Sequence, residues 1–146
     1  MNTPAPLRDD SGPEGSGAVE RLGFAAKQIV QEFGWDEDVD NDLRFAVEDV
    51  IGSELEDEDY TGEADAVVFW WRADDGDLTD ALVDLVGVLP EGGFVVTLTP
   101  KDAKSGAVDP AEIEEAAATA GLHTGGAFHA SPTWRAIKLG APKGRL

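Results

Sequence analysis

Residues 65–71 read Asp-Ala-Val-Val-Phe-Trp-Trp, and from Ala66 onward no polar residue interrupts the run. A strand with one wet face alternates apolar and polar residues. This one does not, so it is expected to be buried on both faces. Helices must then cover the sheet above and below, which points to an α/β fold with parallel strands. A chain of 146 residues is long enough to build such a core once.

The second half fills in that frame. Leu78, Leu82, Leu85, Val86 and Leu89 recur at helical spacing over 77–89, with Asp77 as cap and Pro90 as stop. Gly92-Gly93 is a turn into a second strand at 94–98, followed by a polar loop over 101–109. Asp109 caps a helix with Pro110 at its first position and Gly121 past its end; Ile113, Ala116, Ala117 and Ala120 are its core face. Two shorter strands at 123–130 and 134–139, separated by Ser131-Pro132-Thr133, form an antiparallel hairpin. In the first half, 39–51 is a helix with Leu43, Ala46, Val47, Val50 and Ile51 on one face and Asp40 or Asp38 as cap. Residues 53–62 form an acidic loop. Residues 18–33 fit one amphipathic helix, or a brief helix followed by a short strand at 28–33. Periodicity leaves both open. Pro, Gly, Ser and Asp dominate residues 1–17, the composition of a disordered tail. The expected organisation is this tail, one domain over 18–142, and a flexible basic end at 143–146.

Charge is distributed unevenly. The net charge is −19, and residues 32–84 hold 20 acids against two cations, Arg44 and Arg72. The last twelve residues carry four bases and no acid. So negative a chain repels phosphate, which argues against direct nucleic-acid binding. No apolar stretch approaches the ~20 residues of a membrane span, and the start has no basic-then-apolar order of a secretory signal. The expected location is cytoplasmic. With no cysteine, disulfides, thiol catalysis and cysteine zinc sites are excluded.

The cadence Asp65-Ala-Val-Val, Leu89-Pro-Glu-Gly-Gly-Phe-Val-Val and Ala120-Gly-Leu122, closing in a strand pair, resembles the second half of the class I methyltransferase form of the Rossmann fold. More closely, Gln31-Glu-Phe-Gly-Trp-Asp-Glu-Asp38, Phe69-Trp-Trp-Arg72, Leu98-Thr-Pro-Lys101 and Thr133-Trp134 resemble a small family of uncharacterised domains common in high-GC Gram-positive bacteria. The resemblance covers roughly residues 18–142. It implies a small, degenerate Rossmann-like domain, with a mostly parallel sheet and a C-terminal antiparallel pair, and it supplies no chemistry.

An enzyme of the methyltransferase kind needs a glycine-rich turn after its first strand, so that backbone N–H groups can receive an anionic ligand. After a strand at 28–33 the chain instead reads Gly34-Trp-Asp-Glu-Asp-Val-Asp-Asn-Asp42: one glycine, an indole, and five acids in seven residues. Like charges 4 Å apart repel by about 4 kcal/mol at an effective dielectric of 20. No cofactor is therefore expected. The alternating acids also fail as a calcium loop. Counted from Asp36 the sixth and twelfth positions hold Asn41 and Val47, and from Asp38 Leu43 and Asp49, where Gly and Glu are required. His123 and His129 lack a third ligand. The expected function is a non-catalytic, acidic interaction or regulatory module. Its surface is Trp35, Asp36, Glu37, Asp38, Asp40, Asp42 and Tyr60, and its partner is a basic protein, a nucleic-acid-binding protein being one such class. The alternative is a small ligand or methyltransferase-like reaction in a crevice at the strand ends, beside Trp71, Arg72, Lys101 and Lys104. Arg72 is expected to pair with a carboxylate, such as Asp36 or Asp74. One of Trp70 and Trp71 is expected in the core and the other at that crevice. Salt-sensitive self-association between acidic half and basic end is a further possibility.

Overall fold

The computed structural model describes residues 19 and 21–141; the expected tail and the basic end lie outside them. A five-stranded sheet runs in the order β1-β2-β3-β5-β4. Its strands are β1 (Val30–Phe33), β2 (Ala66–Trp70), β3 (Phe94–Pro100), β4 (His123–His129) and β5 (Trp134–Gly140). The first three are parallel, and β5 lies antiparallel to both β3 and β4. Among the described residues the helices longer than one turn are α1 (Asn41–Ile51), α2 (Leu78–Val86) and α3 (Pro110–Ala120), with a 3-10 turn at Ala103–Ser105. The fold is the small Rossmann-like α/β domain with the antiparallel closing pair. Residues 28–33 resolve as the short-strand alternative, since Val30–Phe33 pairs with Ala66–Phe69.

Capping chemistry sets the helix limits. Asp40, Asp77 and Asp109 accept from the backbone N–H of Leu43, Asp80 and Ala111, and Pro110 opens α3 where no N–H partner is needed. The helix expected to run to Leu89 ends at Val86, because Gly87 closes it before Pro90 is reached.

Every residue of β2 is buried. Its alternate side chains feed two cores. Ala66, Val68 and Trp70 join α1 through Leu43, Val47 and Ile51. Val67, Phe69 and Trp71 join α2 and α3 through Leu78, Leu82, Leu85 and Ile113. Both tryptophans are therefore core, one on each face. The expectation that one of them lines a crevice is corrected: Trp71 is 7 % exposed and packs on Phe69, with ring centroids 5.4 Å apart.

The two helices on opposite faces raise a handedness question. Steps from β1 to β2 and from β2 to β3 go the same way across the sheet, so two right-handed crossovers would put α1 and α2 on one face. The chain avoids the conflict by not going from α1 directly to β2. It first meets the outer edge of β1, where Glu56 forms a parallel bridge with Gln31. Glu56 N–H donates to the Val30 carbonyl at 2.9 Å, and Glu32 N–H donates to the Glu56 carbonyl at 2.8 Å. It then returns past the other face of β1. Gln31, one residue from Glu32 and so on the opposite face, donates its amide to the Asp57 and Tyr60 carbonyls at 3.0 Å each. Among the described residues no helix is long and apolar enough to cross a membrane.

Candidate functional site

Ligands of open parallel sheets bind beyond the C-terminal strand ends, so the ends of β1, β2 and β3 are the place to examine. β1 leaves the sheet at Gly34, whose φ is +81°. A Cβ built there would lie 2.1 Å from the Trp70 carbonyl oxygen. Glycine is thus required, and the close approach it permits is to the protein's own backbone. The Gly34 N–H donates to the Glu58 carboxylate at 2.8 Å.

Arg72 ties this turn to β2. It follows a strand whose side chains are spent on the cores, so its long stem can reach across the strand ends. Nη1 donates to the Gly34 carbonyl at 2.7 Å, and Nε to Asp38 Oδ2 at 3.1 Å. Nη2 makes a second, shorter bond to Asp38 Oδ1. Asp75 lies 3.5 Å from Nη1 and also accepts from the Arg72 backbone N–H at 3.0 Å. The guanidinium stands 5.4 Å from the centre of the Trp134 ring, within cation–π range. The partners are Asp38 and Asp75 rather than Asp36 or Asp74: the bend after Gly34 presents Asp38 to the strand end. The Arg72 bonds hold the Asp38 carboxyl below its usual range, against the opposing effect of burial. Burial alone would pull the Arg72 guanidinium down; Asp38 and Asp75 outweigh it and leave it above its ordinary value.

A second ion pair lies beneath, and the sequence reading missed it. Glu32 is 6 % exposed. Arg44 from α1 donates to it twice, from Nε at 2.6 Å and Nη2 at 2.9 Å, and the Trp70 indole N–H donates at 2.8 Å. The Glu32 bonds raise the Arg44 guanidinium above its usual value. Trp70 in turn packs edge-on against Trp134, with centroids 4.8 Å apart. The available signal was a strand carrying Gln31-Glu32 and a helix whose single cation is Arg44. A carboxylate in a buried strand needs a cation from the element above it.

The remaining predicted residues separate. Trp35 is 53 % exposed, and Asp36, Glu37 and Asp42 are exposed with it. Asp40 is the α1 cap. Tyr60 is half-buried on the segment along β1, its hydroxyl donating to the Glu63 carbonyl at 3.1 Å. Lys101, half-buried at the end of β3, donates from Nζ to the Ser131 carbonyl at 2.6 Å. Burial and the nearby Arg135 charge hold its ammonium below its ordinary value. Lys104 is exposed on the 3-10 turn. Of the proposed crevice, Trp71 is in the core and Arg72 bridges the β1 and β2 ends. A hollow of about 410 Å³ persists farther along the sheet, lined among others by Asp38, Lys101, Asp102, Ser105, Thr133 and Trp134. Among the described residues no three His, Cys, Asp or Glu side chains come together as a metal site requires.

Comparison with solved structures agrees with this architecture. Precorrin-6y C5,15-methyltransferase from Geobacter metallireducens superposes with a TM-score of 0.60 at 8 % identity, covering 85 % of this chain and 86 % of that one. A geranyl diphosphate methyltransferase gives 0.59 at 11 %, covering 85 % and 76 %. A methyltransferase from Pyrococcus furiosus gives 0.54 at 12 %, covering 84 % and 79 %. At such identities the likeness is one of fold. In sequence, an uncharacterised protein of Mycobacterium tuberculosis is 46 % identical over 130 residues, spanning 89 % of this chain and 82 % of that protein. One from Mycobacterium bovis matches to the same extent. The bacterial family anticipated from the Gly-Trp-Asp-Glu-Asp and Trp-Trp-Arg strings is shown directly: the chain belongs to the family described as protein of unknown function DUF3052, whose model matches residues 19–143.

Proposed function

We propose that this domain is a non-catalytic interaction module in a methyltransferase-like frame, presenting an acidic surface to a basic protein partner in the cytoplasm. The observation that carries the reading is the engagement of Arg72 with the Gly34 carbonyl and Asp38. The turn that would receive a nucleotide in a working enzyme is tied to the protein's own strand end. The only cations of residues 32–84, Arg44 and Arg72, face inward onto carboxylates, which leaves the outer acids free to act on another molecule. Charge of one sign speeds encounter with a basic partner and selects it. A nucleic-acid-binding protein offers such a surface. The test is affinity capture by the tagged whole chain from cells of its own kind at low and high salt. Capture of basic proteins that weakens steeply with salt is expected; capture insensitive to salt overturns the reading.

The hollow beside Lys101 and Trp134 favours a second reading, a small-ligand site. Thermal-shift measurements with nucleotides and S-adenosylhomocysteine separate the two. A ligand at 100 times its Kd stabilises by about 2.7 kcal/mol, and such a shift would move the assignment to ligand binding.

A further inference from the structure

The acids of the first half divide into two groups. Glu32 and Asp38 hold the two arginines, while Asp40 caps α1 and Glu48 accepts from the Leu55 N–H. Among the described residues Glu37, Asp42 and Asp49 accept no side-chain hydrogen bond and form no ion pair. Asp42, Phe45 and Asp49 fall within one arc of α1, and all three are exposed. Phe45 is 59 % exposed, and Trp35, in the turn leading into the same helix, 53 %. Large aromatics held in water among unpaired carboxylates suit one side-chain chemistry above others. A guanidinium stacks its flat face on a ring while its edge donates to a carboxylate, whereas an ammonium has no flat face to stack.

We infer that the α1 face of Asp42, Phe45 and Asp49, with Trp35 and Glu37 at its leading end, docks an arginine-rich segment of the protein partner. This rests on the interaction reading above and narrows it to one surface and one residue type. The fit is one of charge: Arg44 and Arg72, the two cations of residues 32–84, are engaged by Glu32 and Asp38, and the exposed Lys27, whose backbone N–H donates to the Ile51 carbonyl, stands at the far end of α1 from Trp35 and Glu37.

Two labelled synthetic peptides of equal length, spacing and charge, one bearing arginines and one lysines, test it by fluorescence anisotropy against the whole chain. The arginine peptide is expected to bind about five- to tenfold more tightly. That advantage should disappear in Phe45→Ala and Trp35→Ala, whose side chains are exposed and whose loss leaves the core intact. Asp42→Lys with Asp49→Lys should weaken both peptides, and Glu112→Lys with Glu115→Lys on α3 should weaken neither to the same degree. Equal binding of the two peptides overturns the inference. So does an arginine preference that survives both aromatic substitutions, or α3 reversals as damaging as those on α1. Self-association in sedimentation that the α1 reversals abolish also overturns it, because a second copy then occupies the face. The broader reading falls separately, on salt-insensitive capture of the native partner.

Discussion

Replacing Arg44 by Met tests how the acidic half is held together. The substitution keeps the stem that covers the core and removes both charged donors to Glu32. The carboxylate, 6 % exposed, is left with the Trp70 indole N–H as its one side-chain donor. Breaking a buried ion pair costs about 3–5 kcal/mol. The Arg44 side chain is 21 % exposed, so water partly replaces it, and the expected loss is near the lower end, about 3 kcal/mol. With a urea m-value of about 2 kcal/mol/M, the midpoint falls by about 1.5 M. The double variant Glu32→Met with Arg44→Met removes both charges of this pair. What remains is the orphaned indole N–H, worth about 1–3 kcal/mol, so the double variant should be no less stable than Arg44→Met alone. Equilibrium unfolding followed by tryptophan fluorescence, in enough salt to screen the altered net charge, gives all the corners of the cycle. A loss under about 1 kcal/mol for Arg44→Met, or additivity within about 0.5 kcal/mol, would refute the claim that this pair is buried and coupled.

Two further perturbations read the strand-end site. The Asp38 carboxyl is lowered by Arg72 from its ordinary value of 3.8, so its contribution to stability is fully present above that value and is lost as pH falls through the folded one. The stability gap between wild type and Asp38→Asn should therefore be constant at neutral pH and close in acid, as measured by urea midpoints from pH 7 to pH 2. Gly34→Ala forces a Cβ to 2.1 Å from the Trp70 oxygen at a φ of +81°, and should cost about 3 kcal/mol. Gly52→Ala, at a similar φ but in open space, should cost only the left-handed penalty of about 1–2 kcal/mol. Thermal denaturation of the pair checks the difference.

Where partners lie close in sequence, or burial is total, the elements were legible. The continuous run of β2, the Asp109-Pro110 start and Gly121 end of α3, and the closing hairpin all follow from local chemistry. β1 was ambiguous because Gln31 and Glu32 are buried polar residues. Their partners, the Asp57 and Tyr60 carbonyls and Arg44, arrive from other elements, so hydrophobic periodicity cannot register them. Arg72 was read correctly as an ion-pairing residue, but the partner depends on how the chain bends after Gly34. Trp71 was placed at the crevice by its position near the strand's end. Its neighbours on α2 and α3, supplied by residues later in the chain, draw it into the core.

The detour through Glu56 bears on how such a domain grows. The polypeptide already visits the border of β1, pairs there once, and comes back under its own steam to begin β2. Extra strands spliced between Ser53 and Tyr60 would extend the sheet outward from that contact, leaving every existing crossover, both cores and the two arginine clasps where they are. Among the described residues the outer border of β1 is thus closed at one point only, the Gln31–Glu56 bridge, and is the border at which further strands would add.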